Sequence, residues 1–194
     1  MVNVSESPLG VLRATDFQSV EVFTLKGLIT YYLLFFIDIA SRKVHVAGIT
    51  PHPDNAWMTQ IARNVTDPHD GFLRDTRYLI MDRDTKYSDA FRGILTRAGM
   101  DVVRLPPRSP NLNAFAERFV RSIKSECLNR MIFFGRASLQ HAVSQFIAHY
   151  HTERNHQGLE NRLVLPAPTI APSLPVRRRQ RLGGMLNFYH RQAA

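Results

Sequence analysis

Apolar and polar positions along this chain first alternate or cluster, then recur at helical spacing, and the changes of period mark out its elements. "VLRATDFQSVEVF" (11–23) is rich in β-branched and aromatic residues with partial alternation, which predicts a strand. "TLKG" turns the chain into 28–39, a run too uniformly apolar for an amphipathic helix and rich in Tyr, Phe and Ile. That run predicts a central strand buried on both faces. "SRK" turns the chain again into "VHVAGIT" (44–50), so three successive strands form an antiparallel meander.

The period then changes. "DNAWMTQIARNV" (54–65) offers Asp54 as an N-cap and places Trp57, Met58, Ile61 and Val65 at helical spacing. "RYLIMD" (77–82) is a short strand, "SDAFRGILTRAG" (88–99) a helix ending at Gly99, and "DVVRLP" (101–106) another strand. A loop shaped by Pro106, Pro107 and Pro110 leads into a helix with the apolar stripe Leu112, Phe115, Ala116, Phe119, Val120, Ile123 and Cys127. "SLQHAVSQFIAHY" (138–150) repeats the helical pattern. The order βββαβαβαα implies an α/β fold, a five-stranded mixed sheet with helices on both faces. "LVLPAPTIAPSLPV" (163–176) is a Pro-rich linker, and the last 34 residues hold six Arg and no Asp or Glu. Residues 1–10 form an extension, 11–163 the main domain, and 164–194 linker and basic tail.

Charge sharpens this picture. Lys and Arg number 25 against 16 Asp and Glu, a formal charge of +9, which suits a polyanionic partner, nucleic acid before an anionic membrane surface. Cys127 is the single cysteine, so no intrachain disulfide forms and a reducing compartment fits. The apolar run 28–40 is shorter than the roughly 20 residues that span a bilayer and contains Asp38. The N-terminus has neither the basic flank nor the apolar stretch of a signal peptide. A soluble cytoplasmic protein is expected.

Three acids stand out. Asp82 ends the strand "LIMD", at the sheet edge where α/β folds bind ligands. Asp16 lies inside a half-buried strand, where an unpaired carboxylate is costly. Glu117 opens the helix after the last strand, with Arg121 and Lys124 four and seven residues on, along the same face. Converging carboxylates repel, and hard oxygen-seeking cations such as Mg²⁺ or Mn²⁺ compensate them. Two such ions roughly 3.5–4 Å apart serve phosphodiester displacement. Taken singly, the same acids also suit a turn at "MDRD" and an ion pair between Glu117 and Arg121.

At these residues the sequence resembles the catalytic core of retroviral integrases and related insertion-sequence transposases. The similarity lies in "TDF", "FFIDIASRKVHVAGI", "MDRDTKYSDAFRGIL", "LPPRSPNLNAFAERFVRSIKSE" and "HYHTERNHQGLENRL" (149–163), which together cover about residues 11–163. The resemblance implies a ribonuclease H-like fold and a D…D…E triad binding two Mg²⁺ (or Mn²⁺). It further implies DNA cleavage by water, strand transfer by a DNA 3′-hydroxyl, and a homo-multimer acting on element ends and target DNA. Asp16, Asp82 and Glu117 match the three acids and would be both catalytic and metal-binding. Asp38 falls on the second strand, outside the triad, and Asp84 stands where relatives often have Gly. The 34 residues between Asp82 and Glu117 are one fewer than the commonest spacing. Such proteins usually carry an N-terminal helix-turn-helix or zinc-binding module that reads the element's ends. The sequence supplies none, so a truncated element or one piece of a longer product is expected.

Lys86, Arg104 and Arg108 in the segments flanking the site, with Arg121 and Lys124 after Glu117, are expected to hold DNA phosphates, although surface Lys and Arg need no special role. Arg177, Arg178 and Arg179 in "RRRQRLGGMLNFYHR" form a basic arm for salt-sensitive DNA binding, or a solvated tail. His149, His151 and His156 lack Cys partners for zinc, and Tyr150 is assigned to the core. The function implied is a metal-dependent transposase or integrase core. The rivals are an inactive DNA-binding remnant and a ribonuclease H-type nuclease.

Overall fold

The structure, a computed structural model, describes residues 11–106, 113–166 and 175–191. The strands β1 (Leu12–Thr24), β2 (Gly27–Asp38), β3 (Val44–Thr50), β4 (Tyr78–Met81) and β5 (Asp101–Arg104) form one sheet in the order β3-β2-β1-β4-β5. β2 and β3 pair antiparallel, whereas β1 with β4 and β4 with β5 pair parallel. β1 and β2 are neighbours joined by Leu25 and Lys26 alone, a link short enough only for antiparallel strands. The sheet is the mixed one expected from the order of elements.

Helices α1 (Asn55–Val65) and α2 (Asp89–Arg97) cover one face, where Met58, Ile61, Val65, Phe91 and Leu95 pack on Leu34, Phe36, Leu79 and Met81. Both helices start as their sequences dictate. The Asp54 side chain accepts from the Trp57 N–H, and the Ser88 side chain accepts from the Phe91 N–H. Phe35 points the other way from Leu34 and Phe36 and meets Phe119 of α3 (Ala114–Glu126) at 4.6 Å between ring centroids. Helices on both faces explain why β2 has no polar side.

α1 lies close on β3. Leu34 pairs with Gly48 and Phe35 with Val46, so Ala47 is the extra residue of a bulge. A Cβ on Gly48 would sit 2.7 Å from Trp57 Cζ2 and 3.2 Å from Ile61 Cδ1. Gly48→Val is therefore expected to destabilise the protein by about 1–3 kcal/mol, the usual range for overpacking. A thermal melt of the variant against wild type checks it, and an unchanged midpoint would contradict this packing.

The chain divides into two compact units, Met1–Glu21 with Leu28–Val120, and Val22–Gly27 with Arg121–Ala194. In the second unit the Phe23 N–H donates to the Phe133 carbonyl at 2.9 Å, and Phe23 stacks on Phe134 at 5.9 Å. Tyr150 is buried in α4 (Gly135–Thr152), and the Arg154 guanidinium forks onto Glu126 at 2.8–3.2 Å. Burial lifts the Cys127 thiol to about 11, so it is an inert core group.

The basic tail is folded where it is described. β6 (Val176–Arg181) and β7 (Leu186–Arg191) pair as an antiparallel hairpin. Its turn needs positive φ at Leu182 (51°), Gly183 (65°) and Gly184 (91°), which the two glycines supply at no steric expense. The hairpin is anchored to Glu153, whose side chain is 1% exposed. Arg181 reaches it at 2.7 and 2.9 Å, Arg179 at 3.2 Å and His149 Nδ1 at 3.0 Å. Burial alone would raise the Glu153 pKa, but hydrogen bonds from Arg181, His149 and Arg179, with the Arg181 charge, outweigh it and hold the carboxyl at about 2 instead of 4.5.

A depressed carboxylate stabilises above its unfolded pKa and loses that contribution as pH falls through its folded one. The anchor is thus expected to be intact above about pH 4.5 and lost towards pH 2, a change of about 3 kcal/mol. Amide protection factors in the hairpin, corrected for intrinsic exchange at each pH, should fall over that window, and Glu153→Gln should show the low protection already at neutral pH.

Candidate active site

The parallel register of β1 and β4 pairs Leu12 with Tyr78, Arg13 with Leu79 and Ala14 with Ile80. Two residues further on, the same register brings Asp16 level with Asp82, just past the end of β4. On β1 the side chain of Phe17 meets Tyr87 at 5.3 Å and joins the core beneath α1 and α2. Alternation therefore turns Asp16 to the opposite face, the one that α3 covers with Phe119. Glu117 sits in the first turn of α3.

Electrostatics tie the three acids together. The Asp16 carboxyl is raised from 3.8 to about 6, first by burial and then by the negative charges of Asp82, Glu117 and Asp84. The Phe17 N–H, which donates to Asp16 Oδ1 at 2.7 Å, only partly opposes that rise. Asp82 Oδ1 accepts from the Asp84 N–H at 3.0 Å, which closes an Asx turn at the strand end.

Asp84, set aside in the sequence, is close enough to weigh on Asp16 but has its own cation. Its Oδ2 pairs with Lys86 Nζ at 2.5 Å, and its Oδ1 accepts the Lys86 N–H at 2.9 Å. Asp38 has a structural role. It accepts from Arg13 at 3.2 Å and from the Ser41 N–H and hydroxyl at 2.8 and 2.9 Å.

Among the described residues, no group of three His, Cys, Asp or Glu is gathered into a ready coordination set. The donors nonetheless suit a hard divalent cation. All are carboxylate oxygens, and the charges of Asp82, Glu117 and Asp84 add to burial in raising the Asp16 carboxyl.

The basic residues expected around the site fall on several different elements. Lys86 borders the acids, its ammonium 5.2 Å from the Phe17 ring and 5.1 Å from the Tyr32 ring. Arg104 pairs in register with Met81 and is exposed at the end of β5. Arg108 lies outside the described residues, as do Pro107, Pro110 and Leu112. Arg121 and Lys124 are exposed further along α3. Arg177 and Arg178 are exposed on β6, while Arg179 is occupied with Glu153.

Two supporting residues were not singled out by the sequence. Asn113, 6% exposed and immediately before α3, has its Nδ2 at 3.5 Å from the Thr15 carbonyl, which ties the helix start to β1 beside Asp16. Tyr87 is fully buried with its hydroxyl 3.4 Å from Thr15 Oγ1, and burial followed by the charge of Asp16 holds that hydroxyl well above its ordinary pKa. An Asn just ahead of an apolar helical stripe is a signal for Asn113. Nothing local marks Tyr87.

Residues 98–163, which contain β5, α3, α4 and, of the three acids, only Glu117, match the family described as Integrase core domain. No curated protein matches the sequence. Among solved structures, a chain of the simian T-cell lymphotropic virus intasome in complex with PP2A regulatory subunit B56 gamma aligns at TM-score 0.58 and 13% identity, over 93% of this chain and 66% of that one. The catalytic domain of Mos1 mariner transposase aligns at 0.57 and 15% identity, over 74% of this chain and 72% of that one. The trimeric HTLV-2 integrase catalytic core domain, in complex with magnesium, aligns at 0.52 and 13%, over 73% and 85%. This chain thus spans just under two thirds of the intasome chain. Its sheet and flanking helices have the ribonuclease H-like fold of integrase and transposase catalytic domains.

Proposed function

We propose that this chain is the catalytic core of a DNA transposase or integrase, a polynucleotidyl transferase that cuts phosphodiester bonds and joins DNA strands with the help of divalent metal. The observation that carries this is the β1–β4 register, which sets Asp16 level with Asp82, with Glu117 near enough for its charge to act on Asp16. Similarity to integrase and transposase catalytic domains, one of them described with magnesium, supports it.

Asp16 and Asp82 would hold the metal jointly, and Glu117 would complete the site. When bound, a pair of divalent ions would activate the attacking oxygen and stabilise the leaving one. The remaining work belongs to the protein. The Phe17 N–H fixes the Asp16 carboxylate, the Asx turn fixes Asp82, and Asn113 fixes the helix that carries Glu117. Arg104 at the neighbouring strand end, with Lys86 beyond Asp84, would hold the DNA backbone beside the acids. Assembly as a multimer follows the intasome and the trimeric integrase core. Among the described residues no helix is long and apolar enough to cross a membrane.

The test is supercoiled plasmid incubated with Mn²⁺ or Mg²⁺. Nicked circles and joined strands are expected, with no such products in EDTA. An RNA–DNA hybrid cleaved in preference to plasmid would point instead to a ribonuclease H-type nuclease. DNA binding without cleavage in either metal would point to a catalytically silent remnant.

A further inference from the structure

The two faces of the β6–β7 hairpin differ in character. Directly opposed residues of an antiparallel pair share a face. Arg177, Arg179 and Arg181 therefore lie with His190, Phe188 and Leu186. This face turns inward, since Leu186 is buried, Phe188 and His190 stack at 5.4 Å, and Arg179 and Arg181 hold Glu153.

The opposite face carries Val176, Arg178 and Gln180 against Arg191, Tyr189 and Asn187. Tyr189 is 63% exposed, and Arg178, exposed as well, stands directly across from it. Among the described residues, no hydrogen bond or ion pair engages either of these two side chains. Next in the row, Gln180 Nε2 approaches Asn187 Oδ1 at 3.4 Å, which presents amides and no charge. The hairpin has five arginines and no acid, a balance that suits a polyanion.

An aromatic ring beside a guanidinium suits one kind of polyanion in particular. A base stacks on the ring while the neighbouring phosphate meets the cation. Base faces are hidden in the stack of a duplex and available only where strands are separated. We propose that the outer face of this hairpin binds single-stranded DNA, with Tyr189 stacking on a base and Arg178 holding the adjacent phosphate. This rests on the proposed action on DNA and narrows it, because strand cutting and joining expose single-stranded ends. It also differs from a grip by consecutive arginines, since Arg179 faces inward to Glu153.

Fluorescence anisotropy of the full chain with a short labelled oligothymidylate tests the surface. Tyr189→Ala and Arg178→Ala are each expected to weaken binding about ten-fold, the range of one base–aromatic stack. Tyr189→Phe, which keeps the ring, should bind like wild type. Arg178→Ala should also lower the slope of log affinity against log salt by about 0.7. Both side chains are exposed, so circular dichroism should be unchanged. Wild-type affinity in both alanine variants, or a Phe variant as weak as the Ala one, would overturn the proposal.

Plasmid nicking on the same preparations keeps the two ideas separate. Weakened oligonucleotide binding in a protein that never nicks would uphold the surface and count against the transferase. Nicking with oligonucleotide binding indifferent to Tyr189 and Arg178 would do the reverse.

Discussion

Glu117→Gln is expected to remove metal-dependent DNA cleavage while leaving the protein folded. The substitution keeps the size and shape of the side chain but replaces an accepting oxygen with a donating NH₂ and takes away the negative charge, the property a divalent cation needs. A metal site supplies several kcal/mol of transition-state stabilisation. At about 1.4 kcal/mol per tenfold, losing it slows cleavage on the order of a thousand-fold. Glu117 lies on the first turn of a helix held by Phe119 in the core and by Asn113 at its start, so its side chain does not hold the helix in place. Plasmid nicking with Mn²⁺, beside a thermal melt of both proteins, reads the two effects separately. A fully active variant would dissolve the triad. Glu126→Gln, at the far end of the same helix and paired with Arg154, is the control for a general loss of acid.

The second large effect is on stability without metal. Asp16 titrates at about 6 in the folded protein against 3.8 ordinarily, so folding favours its protonated form. The Asp16 contribution to stability is then greatest below about pH 3.8, declines as pH rises to about 6, and stays lowered above that. The full penalty is on the order of 3 kcal/mol. Asp16→Asn should therefore make the metal-free protein more stable at pH 8, by about 6–10 °C in midpoint for a chain of this size, and by almost nothing at pH 4. Mn²⁺ should recover much of the same gain in wild type and little in the variant. A variant melting with wild type at both pH values would mean that Asp16 is not held among uncompensated charges.

Most of the sheet was legible because its signals are local. The uniform run of β2 marks a strand covered on both sides, and Asp54 and Ser88 mark helix starts through hydroxyl or carboxylate caps. The three acids stood out by their places, Asp16 inside a half-buried strand, Asp82 at a strand end and Glu117 at a helix start. Their convergence was expected from their elements and from the resemblance; the β1–β4 register that sets Asp16 level with Asp82 was not legible, because it pairs residues far apart in sequence. Likewise, Asp84 weighs on Asp16 through space, and Asp82 caps Asp84 only once the turn is formed.

The hairpin was hidden by composition. "VRRRQR" has too much charge to read as a strand, and the glycine pair in "RLGGM" is the only strong turn signal. Its anchor was hidden too. Glu153 in "HTERN" looks like a solvated charge, and only the return of Arg179 and Arg181 explains why a carboxylate is buried there.

Calorimetric titration of Mn²⁺ into the wild-type chain and into Asp16→Asn, Asp82→Asn and Glu117→Gln tests the central claim most directly, because it needs neither DNA ends nor a missing partner. Saturable binding by the wild type, weakened at least about ten-fold by each substitution, is expected of carboxylates that share one metal site. Binding that is equally tight in all four proteins would place the metal elsewhere and leave Asp16, Asp82 and Glu117 without the role assigned to them.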